Sequence, residues 1–218
     1  MNNKKVSLQE SKTQIVLSRS RSVAGKLFDD LSHPWEAIPS LRAFICKCGE
    51  ELPYDQYDEI SENIWVHVSA YLSPTAKIIA PAIICGGAKL CNFTCVEGSV
   101  IGSFAKIGEH SSVNTSIIFD KATLCGNNNI NYSILGYRSR LGTGVKLPEC
   151  RLDGENIFFS LPEGVYITKS ARLGAIICDE ASIGENSVIN SGSVVNEGAI
   201  VPPLTTINGY VEPGSHFL

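Results

Sequence analysis

The sequence has no excess of basic charge. Its 218 residues carry 18 Lys+Arg against 22 Asp+Glu, a formal charge of −4, whereas a nucleic-acid-binding surface needs a net basic face. No window approaches the roughly 18 consecutive apolar residues of a membrane-spanning helix. The opening residues, Met1 to Ser7, place no apolar stretch behind Lys4 and Lys5, so the expectation is a cytoplasmic protein without a signal peptide. C-x2-C pairs, a mark of structural zinc, are missing too: among eight cysteines, Cys46 and Cys48 have a single residue between them. A disulfide scaffold would be small and secreted, so most of the cysteines read as small buried hydrophobes. What remains, 44% hydrophobic and 18% charged, suits a globular chain of one domain with an appendage.

An internal repeat dominates the rest. From Val66 an aliphatic residue recurs every six positions, sometimes five, through Leu72, Ile78, Ile84, Leu90, Val96, Ile101 and onward to Leu147. A second run goes from Ile177 to Ile207. Two residues before each marked position stands Ala, Ser or Thr in 18 of 21 cases, the exceptions being Ile64, Asn128 and Val145. Residues two apart in a strand face the same way, so each repeat points one large and one small residue inward. A 3.6-residue helical period does not produce this pattern. It describes a hexapeptide-repeat parallel β-helix over residues 63–218, three short strands to a turn.

Residues 1–62 read differently, as a helical arm and acidic linker capping the first coil. Val16, Val23, Leu27 and Leu31 follow helical spacing, and Ser40 is placed to cap a short helix through Leu41, Phe44, Ile45 and Cys48, ended by Gly49. Residues 50–62 hold six carboxylates and no Lys or Arg, the pattern of a solvated linker. The period also fails over 148–172, where Asp153-Gly154 and two apolar runs suggest a hairpin-like excursion.

The hexapeptide pattern resembles the left-handed β-helix acyltransferase superfamily. His33-Pro34-Trp35-Glu36-Ala37-Ile38-Pro39, Ser133-Ile134-Leu135-Gly136-Tyr137 and Arg172-Leu173-Gly174-Ala175 resemble a bacterial group labelled UDP-N-acetylglucosamine pyrophosphorylase, nucleotidyltransferase or hexapeptide transferase. That group is similar to the acetyltransferase half of the bifunctional N-acetylglucosamine-1-phosphate enzyme. The resemblance implies a left hand, a homotrimer with sites between neighbouring prisms, acetyl-CoA as co-substrate, and an amino-sugar phosphate or nucleotide sugar as acceptor. Pyrophosphorylase chemistry is not expected, because the 62 residues before the prism hold no Gly-rich phosphate loop.

The family's general base falls here on Gly126, which takes no proton. The alternative to an acyltransferase is therefore a non-catalytic trimeric sugar-nucleotide-binding or scaffold protein. Of the histidines, His33, His67, His110 and His216, only His110 at a coil corner is a candidate base; its other reading is a surface or interface residue. Asn127, Asn129 and Tyr132 offer amide and hydroxyl groups to a sugar or to pantetheine, or form a corner ladder of asparagines. Tyr137 lies in the matched motif, and Arg138, Arg140 and Arg172 suit phosphates. No metal is expected, since the γ-type carbonic anhydrases that share the prism need three histidines, two of them with four residues between, and no such pair exists here.

Overall fold

The computed structural model describes residues 17–18 and 22–216. They form a left-handed parallel β-helix of hexapeptide repeats behind a short helix, Ala37–Glu50. The prism has three walls. Its first face holds nine strands, from Tyr57–Ser61 and Ile64–His67 down to Tyr210–Val211. The second runs from Tyr71–Leu72 to Ile200–Val201 and the third from Lys77–Ile79 to Thr206–Ile207, seven strands each. Neighbouring coils pair in parallel register, as Ile101 with Ile118 and Ile118 with Leu135. No described helix is long and apolar enough to cross a membrane.

The repeat aliphatics fill the prism: all from Val66 to Ile207 lie in one interior cluster, with Leu72 and Ile78 packed against it. The small inward residue does more than save space. Ser99 Oγ accepts the Ser116 N–H at 3.0 Å, Ser116 Oγ accepts that of Ser133 at 3.1 Å, and Ser133 Oγ that of Ala175 at 3.1 Å. Each hydroxyl thus satisfies a buried amide one coil on. Asn128, which breaks the small-residue rule, is buried and works the same way, its Oδ1 accepting the Val145 N–H at 2.8 Å.

Corners turn through residues in the left-handed region. Phe104, Lys121, Arg138 and Glu180 occupy one edge in successive coils with φ of 58°, 60°, 55° and 59°. Such a conformation costs an L-residue roughly 1–2 kcal/mol. A hydrogen bond to the coil before offsets it at each: Lys121 N–H to Ser103 O at 2.8 Å, Arg138 N–H to Asp120 O at 3.1 Å, Glu180 N–H to Tyr137 O at 2.8 Å.

The N-terminal segment corrects three expectations. The cap on the first coil comes from Tyr57–Ser61, which pairs with Ile64–His67, whereas the helical part lies along the outside of the first face. Leu17, Phe28, Ile38, Leu41 and Ile45 bury themselves there against Trp65, Ile83, Val100, Ile117 and Ile134. Ser18 donates through its N–H and its hydroxyl to Asp179, far down the prism. Second, the helix begins at Ala37, before Ser40, because a 3-10 turn over Pro34–Glu36 leads into it, and Gly49 lies inside its last turn. Of the helical spacing upstream, Val16 falls outside the described residues and a 3-10 helix over Val23–Phe28 forms instead of an α-helix. Third, the acidic stretch is solvated but not a plain linker: Tyr57–Ser61 pairs antiparallel with Ile64–His67 and extends the first face.

The excursion forms an antiparallel hairpin, Phe158–Leu161 with Gly164–Ile167. Phe159 stacks on Trp35 at 4.2 Å between ring centroids, so the hairpin and the helical segment share the same apolar cover. Of the eight cysteines, Cys48, Cys85 and Cys178 are buried, Cys46, Cys91 and Cys95 half-buried, and Cys125 and Cys150 exposed, so fewer are buried than expected.

Gly49 is where helix and prism touch most closely, since a Cβ there would overlap the Trp65 ring. Overpacking of this kind costs about 1–3 kcal/mol. Gly49→Ala is therefore expected to lower the urea unfolding midpoint by that amount of stability, read with Trp fluorescence.

Candidate functional site

The three edges of the prism sort the candidate residues. The edge from first to second face carries Tyr137 and Arg138. The edge from second to third carries His110 and Asn127, in register one coil apart: the Asn127 N–H donates to Glu109 O at 2.8 Å. The edge from third to first carries Tyr132. Arg172 sits beside it, where the excursion rejoins the prism, with its guanidinium 5.0 Å from the Tyr132 ring centroid. Arg140 points outward from the second face and Asn129 from the third. Around the second face the fold therefore gathers His110, Asn127, Tyr137, Arg138 and Arg140. It leaves Asn129, Tyr132 and Arg172 on the other side.

Outward positions of the second face form a basic line. Lys89 pairs in register with Lys106, Lys106 with Thr123, and Thr123 with Arg140, so three cations stand on a straight stack with strands roughly 4.8 Å apart. Lys121 and Arg138 add two more on the adjoining edge. Arg138 faces Glu180 at 3.8 Å, and Lys121 reaches the Tyr137 hydroxyl at 3.4 Å. Lys106 and Arg140 form no ion pair among the described residues. On a chain of net charge −4 this strip concentrates cations where sequence reading had singled out Arg138 and Arg140 alone. The missing signal was the repeat itself: Lys89, Lys106, Thr123 and Arg140 all directly precede an inward aliphatic.

His110 occupies an exposed corner with φ of 57°, its ring stacked on Phe93 at 4.9 Å and 13°. Gly126 lies one coil beyond Glu109, whose carbonyl oxygen is 3.2 Å from where a Gly126 Cβ would be. His110 follows Glu109 at the same corner. Elsewhere, Arg172 donates to Glu149 Oε1 at 3.2 Å, and this bond holds the guanidinium firmly charged. His33 packs between Trp35 and Tyr166 and meets Glu36 at 3.1 Å, a structural place. No cluster of three potential metal-ligating side chains occurs among the described residues.

Comparison with protein-family profiles and with curated sequences returned no match. Solved structures similar to this chain include the acetyltransferase domain of PglB from Neisseria gonorrhoeae in complex with acetyl coenzyme A, at 16% identity over 60% of this chain and 53% of that one, TM-score 0.31. WeeI from Acinetobacter baumannii is 21% identical over 63% of this chain and 53% of its own, TM-score 0.36. A hexapeptide transferase family protein from Anaplasma phagocytophilum is 18% identical over 66% of this chain and 73% of its own, TM-score 0.34. The chain spans about half the length of the first two.

Asp179 fixes the Tyr137 corner by accepting its N–H at 2.8 Å while also holding Ser18. Burial pushes its carboxyl above the ordinary value, against the bonds from Ser18 and Tyr137 that favour the carboxylate. A raised folded pKa means that the native state binds the proton more tightly than the unfolded chain. The contribution to stability is then greatest below the unfolded pKa and is lost as pH rises through the folded one. Asp179→Asn removes that dependence. Its stability relative to the parent is expected to rise as the pH climbs above the ordinary carboxylate range, whereas a pH-independent difference in urea midpoints contradicts the assignment.

Proposed function

We propose that the chain is a cytoplasmic, homotrimeric, acyltransferase-like hexapeptide-repeat protein that lays acetyl-CoA along its second face. The observation that carries this reading is the basic line of Lys89, Lys106 and Arg140, flanked by Lys121 and Arg138. An extended donor bearing a pyrophosphate and a 3′-phosphate suits cations spaced along one straight wall, and guanidinium forks match phosphate oxygens. The first face is buried under the chain's own arm. That leaves the second and third faces for neighbouring copies, with the groove closed between them.

In this reading His110 acts as general base from the second edge, beside the position where Gly126 replaces the family's base. It takes the proton from an amine or hydroxyl of an amino-sugar phosphate or a nucleotide sugar such as UDP-N-acetylglucosamine. The acceptor's nitrogen or oxygen bonds to the acyl carbon, the thioester C–S bond breaks, and coenzyme A leaves as the thiolate. Asn127, one coil away, supplies amide groups to the acceptor.

A specific observation favours the second reading, a sugar-nucleotide-binding scaffold without turnover. The His110 ring stacks on Phe93, and among the described residues no carboxylate hydrogen-bonds it into one tautomer.

Calorimetric titration with acetyl-CoA, with UDP-N-acetylglucosamine as the control ligand, tests the donor assignment. Saturation near one donor per subunit is expected. Arg140→Ala and Lys106→Ala are each expected to weaken binding about tenfold, the loss of one charge-assisted phosphate contact. His110→Ala should leave donor binding intact and abolish acetyl transfer; donor binding without transfer by the parent protein selects the scaffold. Absence of acetyl-CoA binding contradicts both the donor assignment and the transferase.

A further inference from the structure

The edge opposite the second face carries a groove that the acyl-transfer reading does not use. Its volume is about 570 Å³, within the range of small-molecule sites. The floor is the prism itself, the corner at Asn190, Ser191 and Gly192 and the next corner at Asn208. The wall is the start of the excursion, with Cys150, Arg151 and Phe158. The two are pressed together at Gly192, φ 77°, where a Cβ would overlap the Phe158 carbonyl oxygen. The wall is therefore seated on a rigid corner rather than hanging free.

The lining is chemically specific. Asn190 Nδ2 donates to Asn208 Oδ1 at 2.6 Å. This bond leaves the Asn190 amide oxygen as an acceptor and the Asn208 amide nitrogen as a donor, one on each of the two side chains. Ser191 Oγ donates to Pro148 O at 3.1 Å and keeps its lone pairs. The Ser160 hydroxyl adds a further group that both donates and accepts. Phe158, 41% exposed, supplies an apolar ring. Only two charges line the groove, and they cancel. Arg151 Nε donates to Asp153 Oδ1 at 2.9 Å and its Nη2 to the other carboxylate oxygen, while the guanidinium lies 5.0 Å from the Phe158 ring centroid. Arg151 holds the Asp153 carboxyl down at about 2, so the pair stays ionised and mutually neutralised at any physiological pH.

We infer that this groove binds a neutral pyranose. A sugar ring presents C–H groups on its faces, which pack on an aromatic ring, and hydroxyls at its rim, each of which both donates and accepts. Planar amides that between them offer a donor and an acceptor match ring hydroxyls, which can serve either role. A phosphate or carboxylate ligand finds no uncompensated cation here, unlike on the second face. The site lies on the other edge of the third face from His110 and three coils further along the axis, so it anchors a carbohydrate rather than placing one for reaction, and it stands whether or not the chain transfers an acyl group.

The full chain is titrated by calorimetry with glucose, galactose, mannose and N-acetylglucosamine. Saturable binding of at least one is expected, weakened about tenfold by Phe158→Ala, a loss equal to one aromatic contact. Asn208→Ala is expected to weaken it as well, and Phe104→Ala, an exposed aromatic on a distant edge, to leave it unchanged. Cys150 supplies a second readout: a saturating sugar slows its alkylation by iodoacetamide, about tenfold at ten times Kd, with the rate at exposed Cys125 unaltered. The proposal is overturned if none of the four sugars binds saturably. It is equally overturned if binding persists in both groove variants, or if sugar leaves the Cys150 rate unchanged.

Discussion

Everything in this molecule rests on the stacking of one coil upon the next. An inward aliphatic meets its counterpart a strand spacing away, while the backbone of the same residues bonds up and down the stack. Neither half stands alone: a two-residue strand such as Ile117–Ile118 is too short to persist by itself. Its amides are satisfied only because the coils on both sides hold register. The same register places hydroxyls of Ser99, Ser116 and Ser133 against buried N–H groups and offsets the left-handed corners. A solenoid of this kind is a rigid ruler with chemical positions repeated at a fixed interval.

A ruler with three faces must decide what to do with each. Outward residues of the first face are apolar, and burying side chains of the size of Trp65 or Ile117 is worth roughly 1.5–3 kcal/mol apiece. The chain covers them itself, with the helical segment over the upper coils and the excursion hairpin lower down, joined through Trp35 and Phe159. The second face is left open and basic. At the third-to-first edge, from which the excursion departs, the insertion is braced against a rigid corner at Gly192. A chemical division follows from this geometry: charge along one face, neutral polar groups in the groove across from it.

Much of this was legible in the sequence. The six-residue period with its small partner residue sufficed for the architecture, because a parallel β-helix imposes that pattern on every coil. The cover over the first face was equally legible but escaped notice. Trp65, Ile83, Val100, Ile117, Ile134, Ile176 and Val194 are apolar at every third outward position, whereas the positions between include Lys77, Lys89, Lys106, Arg140 and Lys146. That alternation marks one buried wall. His110 and Asn127 are 17 residues apart, one coil, so their shared edge could also have been read. The groove could not. It depends on how 25 aperiodic residues, 148–172, fold back onto Gly192, and no local pattern encodes that approach. The start of the helix was misplaced for a related reason, since Glu36 reaches back to the N–H groups of Ser32 and His33 and begins helical turns before Ser40.

The central claim is that the open second face, not the covered first, receives the acyl donor. Hydrogen–deuterium exchange with and without acetyl-CoA tests it directly. The account predicts slower exchange at the second face and its two edges, around residues 104–110, 121–124 and 137–141. It predicts no change along the helix 37–50 or the first-face strands beneath it. Protection confined to the helix and those strands, or an exchange pattern indifferent to acetyl-CoA, would contradict it.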